Sequence, residues 1–419
     1  MKVLFGVMVV IACLAAEMAA QEHRIWVMKE PGSVIEYDSA TFAPKGTAQL
    51  PADVLRSPAL LQVNAAGQML FAPNPDDPSP DVGKAGEKMW FWDGKATADL
   101  KRGFVQTSSR TGSNEKIVES SPSAILSADG AHLFWWTNQF SRLERDNVEL
   151  SVTTAFSAWR SDLGGRQRED IASVELPECR CPSGSCSETC PELRVWAPEA
   201  GAGKYLLVTQ FVSGQTESKY ISTTRYDVQE GHWRSTELAE PLQRVLAGND
   251  DGTVIVSGIP DTGCCGWENQ SVDQTILLDA GKKSKIFDER EQFKNPDYDV
   301  SFYTENAKIA PNQEMVAMTI ESTAKPGGTI QLSEQGQANP AESQRIRKAL
   351  VELPAVQIVS VREPEKRLVY LPHAFLAGWL NEKEILIIEN QLLVAYNVAT
   401  GARRRSGIKV ADPALVVVR

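Results

Sequence analysis

Residues Ser121–Trp136, SPSAILSADGAHLFWW, contain two short apolar runs separated by a tight turn. The runs Ala124–Ser127 and His132–Trp136 are rich in residues that suit a half-buried strand. Asp129 and Gly130 lie between them and favour the left-handed backbone that a tight hairpin turn needs. The stretch therefore predicts a β-hairpin, which we interpret as the inner hairpin of one small sheet.

Related patterns recur along the chain at intervals of roughly sixty residues, which is typical of a radial repeat of small sheets. Six inner hairpins are predicted, around Gly67, Gly130, Gly203, Gly252, Asn312 and Glu382. A second repeated element is a strand that ends in an aromatic residue or Leu, followed by Asp or its replacement. Its seven copies are Val34–Asp38, Met89–Gly94, Phe156–Arg160, Thr223–Asp227, Thr275–Asp279, Thr329–Ser333 and Leu393–Asn397.

The seven copies predict an all-β fold, a seven-bladed β-propeller, with six or eight blades as the alternatives. Residues Arg24–Leu50 supply three strands with no inner strand before them. The chain ends in Asp412–Val418, DPALVVV, which is similar to Ser57–Leu61 and to Ser121–Ile125. We therefore expect the C-terminal strand to close the first blade and so remove the free sheet edges there.

Two turn patterns carry a family resemblance. Leu126–Gly130, followed by a hydrophobic strand, and Tyr396–Gly401, followed by Arg403, resemble the TolB-type and WD-repeat-like β-propellers of bacterial envelopes. The resemblance covers nearly all of the chain after the first twenty residues at the level of architecture. Since those propellers serve mostly as binding scaffolds, it implies a binding function and assigns no activity.

The N-terminal twenty residues have the composition of a secretory signal. Lys2 precedes an apolar run, Val3–Ala16, and small residues follow before Gln21. Residues 21–419 would then form a single propeller domain, secreted or periplasmic, with no transmembrane segment because no later stretch has the ~18 apolar residues of a span. The alternative is a lipoprotein, since Val10–Cys13 resembles a lipobox that would lipidate Cys13.

Charge argues against nucleic acid as a partner. The chain has 43 Lys and Arg against 54 Asp and Glu, a formal net charge of -11. An acidic surface repels phosphate backbones. The basic run Arg403–Arg405 is interpreted as a solvated strand edge.

Six cysteines follow the signal, an even number that predicts disulfides in an oxidising compartment. They are Cys179, Cys181, Cys186 and Cys190, in an inter-blade loop at 175–192, and Cys264 and Cys265. The spacing of the first four fits no standard zinc knuckle, so we expect no metal site. We favour at least one link between the two groups. A vicinal bridge between Cys264 and Cys265 is the alternative, although it closes a strained ring.

Long loops mark one face of the predicted propeller. Ala72–Lys88, Thr137–Thr154 and Asp261–Gln274 all join second to third strands, which places them together. Phe104–Ser120 is a further loop, predicted between blades. An irregular insertion is predicted at 335–372, with a short helix at Ala341–Val351 before the last strand of blade six.

The candidate binding residues lie in the cysteine loop of that face. They are Trp267, Glu268 and Asn269. A Trp in a rigid, disulfide-bonded loop is a suitable anchor for a partner. We interpret the protein as a binding scaffold for a protein, peptide or glycan, with no cofactor and no catalytic residue assigned.

The alternative is an extracytoplasmic, glycosidase-like hydrolase that would use paired carboxylates on the same face. The acidic and amide residues expected there are Asp76, Asp77, Asp81, Asn138, Glu144, Asp146, Glu268, Asn269 and Asp273.

Overall fold

The computed structural model folds the chain mainly into antiparallel β-sheet. It describes residues 24–29, 33–49, 60–64, 66–72, 89–100, 105–127, 130–146, 148–181, 190–196, 205–213, 218–229, 232–239, 241–242, 244–249, 252–257, 274–279, 282–288, 300–324, 327–332, 338–410 and 416–418. The strands in these ranges form seven sheets. We number the sheets in chain order. No helix in the described ranges is both long and apolar enough to cross a membrane.

The first three sheets contain the N-terminal strands and the last strand. Sheet 1 consists of β1 (Arg24–Lys29), β2 (Ser33–Asp38), β3 (Pro44–Gln49) and β30 (Val416–Val418). Sheet 2 consists of β4 (Leu60–Val63), β5 (Met69–Ala72), β6 (Trp90–Trp92) and β7 (Thr97–Asp99). Sheet 3 consists of β8 (Val105–Thr111), β9 (Asn114–Leu126), β10 (His132–Arg145), β11 (Val148–Asp162), β12 (Glu169–Glu175) and β13 (Cys179–Arg180).

The other four sheets have four strands each. Sheet 4 consists of β14 (Pro191–Trp196), β15 (Tyr205–Ser213), β16 (Ser218–Gln229) and β17 (His232–Glu237). Sheet 5 consists of β18 (Arg244–Gly248), β19 (Val254–Ser257), β20 (Gln274–Asp279) and β21 (Lys282–Asp288). Sheet 6 consists of β22 (Phe302–Ile309), β23 (Met315–Ser322), β24 (Ala355–Ser360) and β25 (Arg367–Pro372). Sheet 7 consists of β26 (Ala374–Trp379), β27 (Glu384–Glu389), β28 (Leu392–Asn397) and β29 (Arg403–Lys409).

Each sheet packs face to face on the next through its own apolar cluster. The clusters joining successive sheets include Trp26 with Phe71, Leu70 with Leu133, Phe134 with Leu206, Leu207 with Val254, Ile255 with Phe302, and Val356 with Leu376. A further cluster packs Leu386 and Leu393 of sheet 7 against Ile25 and Val27 of sheet 1. The sheets therefore form a closed ring, which confirms the predicted all-β propeller.

The C-terminal strand closes sheet 1, as the sequence predicts. Strand β30 pairs antiparallel with β1, with Val417 opposite Trp26. Val418 also packs against sheet 7, because a Cβ built on Gly378 would lie 3.0 Å from the Cβ of Val418. The last strand thus completes one sheet and fills the contact with its neighbour.

The repeated elements are confirmed with one exception. We count the strands of each sheet within the ring, from β30 in sheet 1 and from β9 in sheet 3. All six predicted inner hairpins then fall between the first and second strands of a sheet. Six of the seven Asp-type copies fall on third strands, namely β2, β6, β11, β16, β20 and β28. The copy at Thr329–Ser333 is wrong, because residues 327–331 are irregular and the third strand of sheet 6 is β24. Strand β24 is buried along nearly its whole length, so it lacks the polar alternation that marks the other copies.

One helix precedes β24. Helix α1 (Pro340–Glu352) begins at Asn339, whose side chain accepts hydrogen bonds from the backbone N–H groups of Ala341 and Glu342. Ile346 and Leu350 are buried on one face, as the sequence predicts. The helix joins the second and third strands of sheet 6, so its predicted place before the last strand is wrong. Segment 335–372 includes α1, β24 and β25 and is more regular than predicted.

Two predicted loops are strands instead. Most of Thr137–Thr154 belongs to β10 and β11, and Val105–Thr111 and Asn114–Ser120 pair as a hairpin of β8 and β9. The polar and charged residues of these stretches suggested loops, whereas in the structure many of them are half-buried. The strands continue the sheet beyond the ring.

Candidate functional site

Among the described residues, an extension of sheet 3 lies outside the ring. We define the sheet extension as β8, Asn114–Ser121 of β9, Thr137–Arg145 of β10, Val148–Thr154 of β11, and β13. Strands β10 and β11 have 14 and 15 residues, whereas most strands of the ring have about half that length. Because the extension continues the end of a second strand and the start of a third, it rises on the face of the second-to-third strand connections.

One face of the extension is lined at alternate positions of β10. Trp136, Asn138, Phe140 and Arg142 border a depression of about 280 Å³. The other lining residues are Glu119, Ser120 and Ser123 of β9. Ser123 lies opposite Trp136, and Glu119 lies opposite Phe140. The period-2 spacing of β10 thus places two aromatic and two polar side chains on a single surface, which we call the depression face.

Arg142 lies between two carboxylates. Its Nη1 is 2.9 Å from Glu119 Oε2 on one neighbouring strand, and its Nε is 3.7 Å from Glu149 Oε1 on the other. The guanidinium also lies 6.0 Å from the centre of the Phe140 ring. Since one cation is shared by two anions, the cluster carries a net negative charge, which disfavours anionic ligands.

Asn138 joins the extension to the next sheet. Its Nδ2 donates a 3.1 Å hydrogen bond to the carbonyl oxygen of Leu193 in β14, while its Oδ1 is buried without a hydrogen-bond partner in the described residues. Asn306 of sheet 6 makes the same kind of contact, a 3.1 Å bond from Nδ2 to the carbonyl oxygen of Leu376 in sheet 7. The repetition indicates that these asparagines join adjacent sheets. Asn138 therefore fixes the base of the depression.

A disulfide holds the outer edge of the extension. Cys179 is bonded to Cys190, and Cys179 lies opposite Val152 in the pairing of β13 with β11. The bond, together with Cys181, packs on Val152 in a small apolar cluster. Cys181 is disulfide-bonded as well. The predicted oxidised state is thus confirmed for these three cysteines, and Cys179 and Cys190 pair within their own tract.

The predicted binding residues Trp267, Glu268 and Asn269 lie outside the described residues. The same holds for Asp76, Asp77, Asp81, Cys186, Cys264, Cys265 and Asp273. Of the other acidic and amide residues predicted for this face, Asn138 lines the depression, whereas Glu144 and Asp146 lie near the tip of the extension.

Sequence reasoning missed Trp136, Phe140 and Arg142 as site residues. Their alternation along Trp136–Arg142 was the available signal.

A carboxylate pair lies elsewhere on the same face. Burial raises the pKa of Glu321, and the nearby Glu305 carboxylate raises that pKa further. Glu305 is in the first half of β22 and Glu321 is near the end of β23, which places both beside the connection that contains α1. Burial and a neighbouring carboxylate are the two causes that commonly raise the pKa of a general acid.

Comparison with known proteins identifies no family for the chain. No protein-family model matches it, and no curated protein matches it. Among solved structures it is similar to the β-propeller domain of the Trilobed protease from Pyrococcus furiosus, with 11% identity, a TM-score of 0.43, and 94% of this chain and 96% of that chain covered. It is also similar to Porphyromonas gingivalis dipeptidyl peptidase 4, with 9% identity and a TM-score of 0.45. The match covers 94% of this chain and 59% of that chain. Neither similarity assigns a function to this chain.

Proposed function

We propose that the protein is an exported, seven-bladed propeller of the TolB-type or WD-repeat-like kind that acts as a binding scaffold. Each sheet would be one blade, and the partner would be a protein, peptide or glycan held on the face that carries the sheet extension. The observation that carries this proposal is the depression, in which Trp136 and Phe140 lie beside anchored polar groups. Aromatic side chains with polar neighbours are the usual anchors of binding surfaces.

Preorganisation supports the proposal. Arg142 is held by Glu119 and Glu149, and Asn138 by the backbone of β14. The Cys179–Cys190 disulfide ties β13 to the start of β14 beside the extension. A surface whose side chains are already fixed loses less conformational entropy when it binds.

Two further features are consistent with it. A disulfide agrees with export to an oxidising compartment, which the signal-like residues 1–20 predict. Strand β19 ends and β20 begins at the same face of the ring, because they are the second and third strands of sheet 5.

The test is binding of immobilised glycans and of a phage-displayed peptide library by the wild-type protein and by the double variant Phe140→Ala, Arg142→Ala. The matched control is Arg362→Ala. Arg362 also pairs with a glutamate, Glu314 at 3.2 Å, but it is 82% exposed and follows β24 on the opposite face. We expect ligands that bind the wild type and the control to be lost by the double variant. Equal binding by all three proteins would refute the site.

A second candidate function, the glycosidase-like hydrolase, is favoured by the Glu305 and Glu321 pair. Here Glu321 would be the proton donor, because its raised pKa keeps it protonated to higher pH than an ordinary carboxyl group. The test is release of reducing sugar from a panel of polysaccharides by the wild type and by Glu321→Gln. Activity that is present in the wild type and lost in the variant would support this candidate over the scaffold.

A further inference from the structure

Among the described strands, β8 is a terminal strand of its sheet and lies outside the ring. It pairs with β9 on one side, and no described strand pairs with its other side. Its partner β9 is the innermost strand of sheet 3, so β8 lies on the axis side of that strand. The described side chains Thr107–Thr111 are all exposed. In the part of the chain that the structure describes, this edge is therefore open on the face that we propose for binding.

The register identifies which backbone groups are available. Gly112 and Ser113 form a two-residue turn, so Thr111 and Asn114 are a hydrogen-bonded pair. Alternate residues of β8 then direct their N–H and C=O groups away from β9. These residues are Arg110, Ser108 and Gln106. The edge thus presents three donors and three acceptors at the spacing that another strand requires.

Strand β8 lacks the usual protection of an edge. Natural edges are blunted by Pro, by bulges or by Lys. Strand β8 contains neither Pro nor Lys, its seven residues pair with β9 without a register shift, and its one charged residue is Arg110. An edge of this kind accepts an added strand by main-chain hydrogen bonding.

Charge indicates the occupant. The depression face carries Arg110 and Arg142 against four glutamates, Glu115, Glu119, Glu144 and Glu149. Glu115, Glu144 and Glu149 are directly opposite one another on three adjacent strands, and such like-charged neighbours repel. The other face of the extension carries Lys116 and Arg145. A second copy of the chain, with a net charge of -11, would be repelled.

We propose that β8 takes an extended peptide segment of a partner protein as an additional strand, with Lys or Arg at alternate positions facing the depression side. This inference rests on the proposed binding function and specifies its mode and ligand. Alternate residues of an added strand share one face, so its cationic side chains lie opposite Gln106, Ser108 and Arg110. The one opposite Arg110 is repelled, because like charges directly opposite each other destabilise a strand pair.

The test uses an acetylated, fluorescent peptide of alternating Lys and Thr, with a Glu–Thr peptide as its control, and measures fluorescence anisotropy. Ser108→Pro removes an outward N–H without removing a bond to β9, and we expect it to weaken Lys–Thr binding on the order of tenfold. Arg110→Ser should strengthen binding and Glu115→Gln should weaken it. N-methylation of alternate amides of the peptide should abolish binding, and this tests the hydrogen bonds without changing the protein.

Three results would overturn the inference. The first is equal binding of the Lys–Thr and Glu–Thr peptides. The second is a Ser108→Pro variant that keeps its circular dichroism spectrum and full affinity. The third is a wild-type dimer in sedimentation that Ser108→Pro dissociates, which would make a second copy the occupant. If the Phe140→Ala, Arg142→Ala variant loses its ligands while Ser108→Pro binds normally, the binding face stands and strand addition is wrong.

Discussion

Removal of the C-terminal strand should destabilise the whole ring. Deleting Asp412–Arg419 removes β30, which supplies three residue pairs to β1. It also removes Val418 from its contact with Gly378 in sheet 7. The deletion therefore opens an edge in sheet 1 and a gap between the first and last sheets at the same time.

The magnitude follows from what β30 buries. Val416 is 7% exposed, and its neighbours Val417 and Val418 are half-buried. Burial of one complete and two partial valine side chains contributes about 4 kcal/mol. The backbone hydrogen bonds between β30 and β1, at about 1 kcal/mol each, bring the loss to about 6 kcal/mol. A loss of this size is a large part of the ~5–15 kcal/mol that keeps a domain folded.

The assay is urea unfolding followed by tryptophan fluorescence. Trp26 is 1% exposed and lies opposite Val417, so the deletion should also shift the native emission to longer wavelength. Removal of Arg419 alone, which follows β30, is the control and should change neither value. A truncated protein with the unfolding midpoint and emission of the wild type would show that the closure contributes nothing.

Three further predictions concern single positions. Gly130→Ala should lower the free energy of unfolding, measured in urea, by about 2 kcal/mol more than Gly112→Ala does. Both glycines have a positive φ, but of the two only Gly130 lacks room for a Cβ, which would lie 2.2 Å from the Cβ of Asn64. Leu350→Ala should lower the free energy of unfolding by about 2–5 kcal/mol, since Leu350 is 2% exposed. Val351→Ala on the same helix should lower it by less than about 1 kcal/mol, because Val351 is 57% exposed. Equal unfolding midpoints for the two variants would contradict the packing of α1. Peptide mass spectrometry without reduction should recover Cys179 linked to Cys190, and their joint replacement by Ser should cost about 3 kcal/mol for a loop with a sequence separation of 11.

The inner hairpins were predictable because each depends on local chemistry. Asp-Gly and related turns select the hairpin within a few residues, and the flanking apolar runs supply its buried face. The third strand of sheet 6 was not predictable in this way. Its sequence, AVQIVS, is buried from Ala355 to Val359, so it resembles any short apolar segment, and α1 separates it from its hairpin.

The face on which the sheet extension lies was predictable from the sequence, whereas the residues that line the depression were not. The topology of second-to-third strand connections identifies the face before any side chain is placed. The sheet extension escaped prediction because its strands have few apolar positions, and WTNQFSR at Trp136–Arg142 resembles a polar loop. Only the pairing of β10 with β9 and β11 shows that its alternate residues share a surface.

The continuity of β10 has a mechanical consequence. The nine residues Thr137–Arg145 correspond to a projection of about 30 Å, and the same strand continues into the ring as far as His132. No hinge loop separates the two parts in β10, β9 or β11. A force that a bound partner exerts along the projection would therefore act in shear on many hydrogen bonds of sheet 3 at the same time. The force would be transmitted to the ring directly, because no linker lies between the projection and the ring in these three strands.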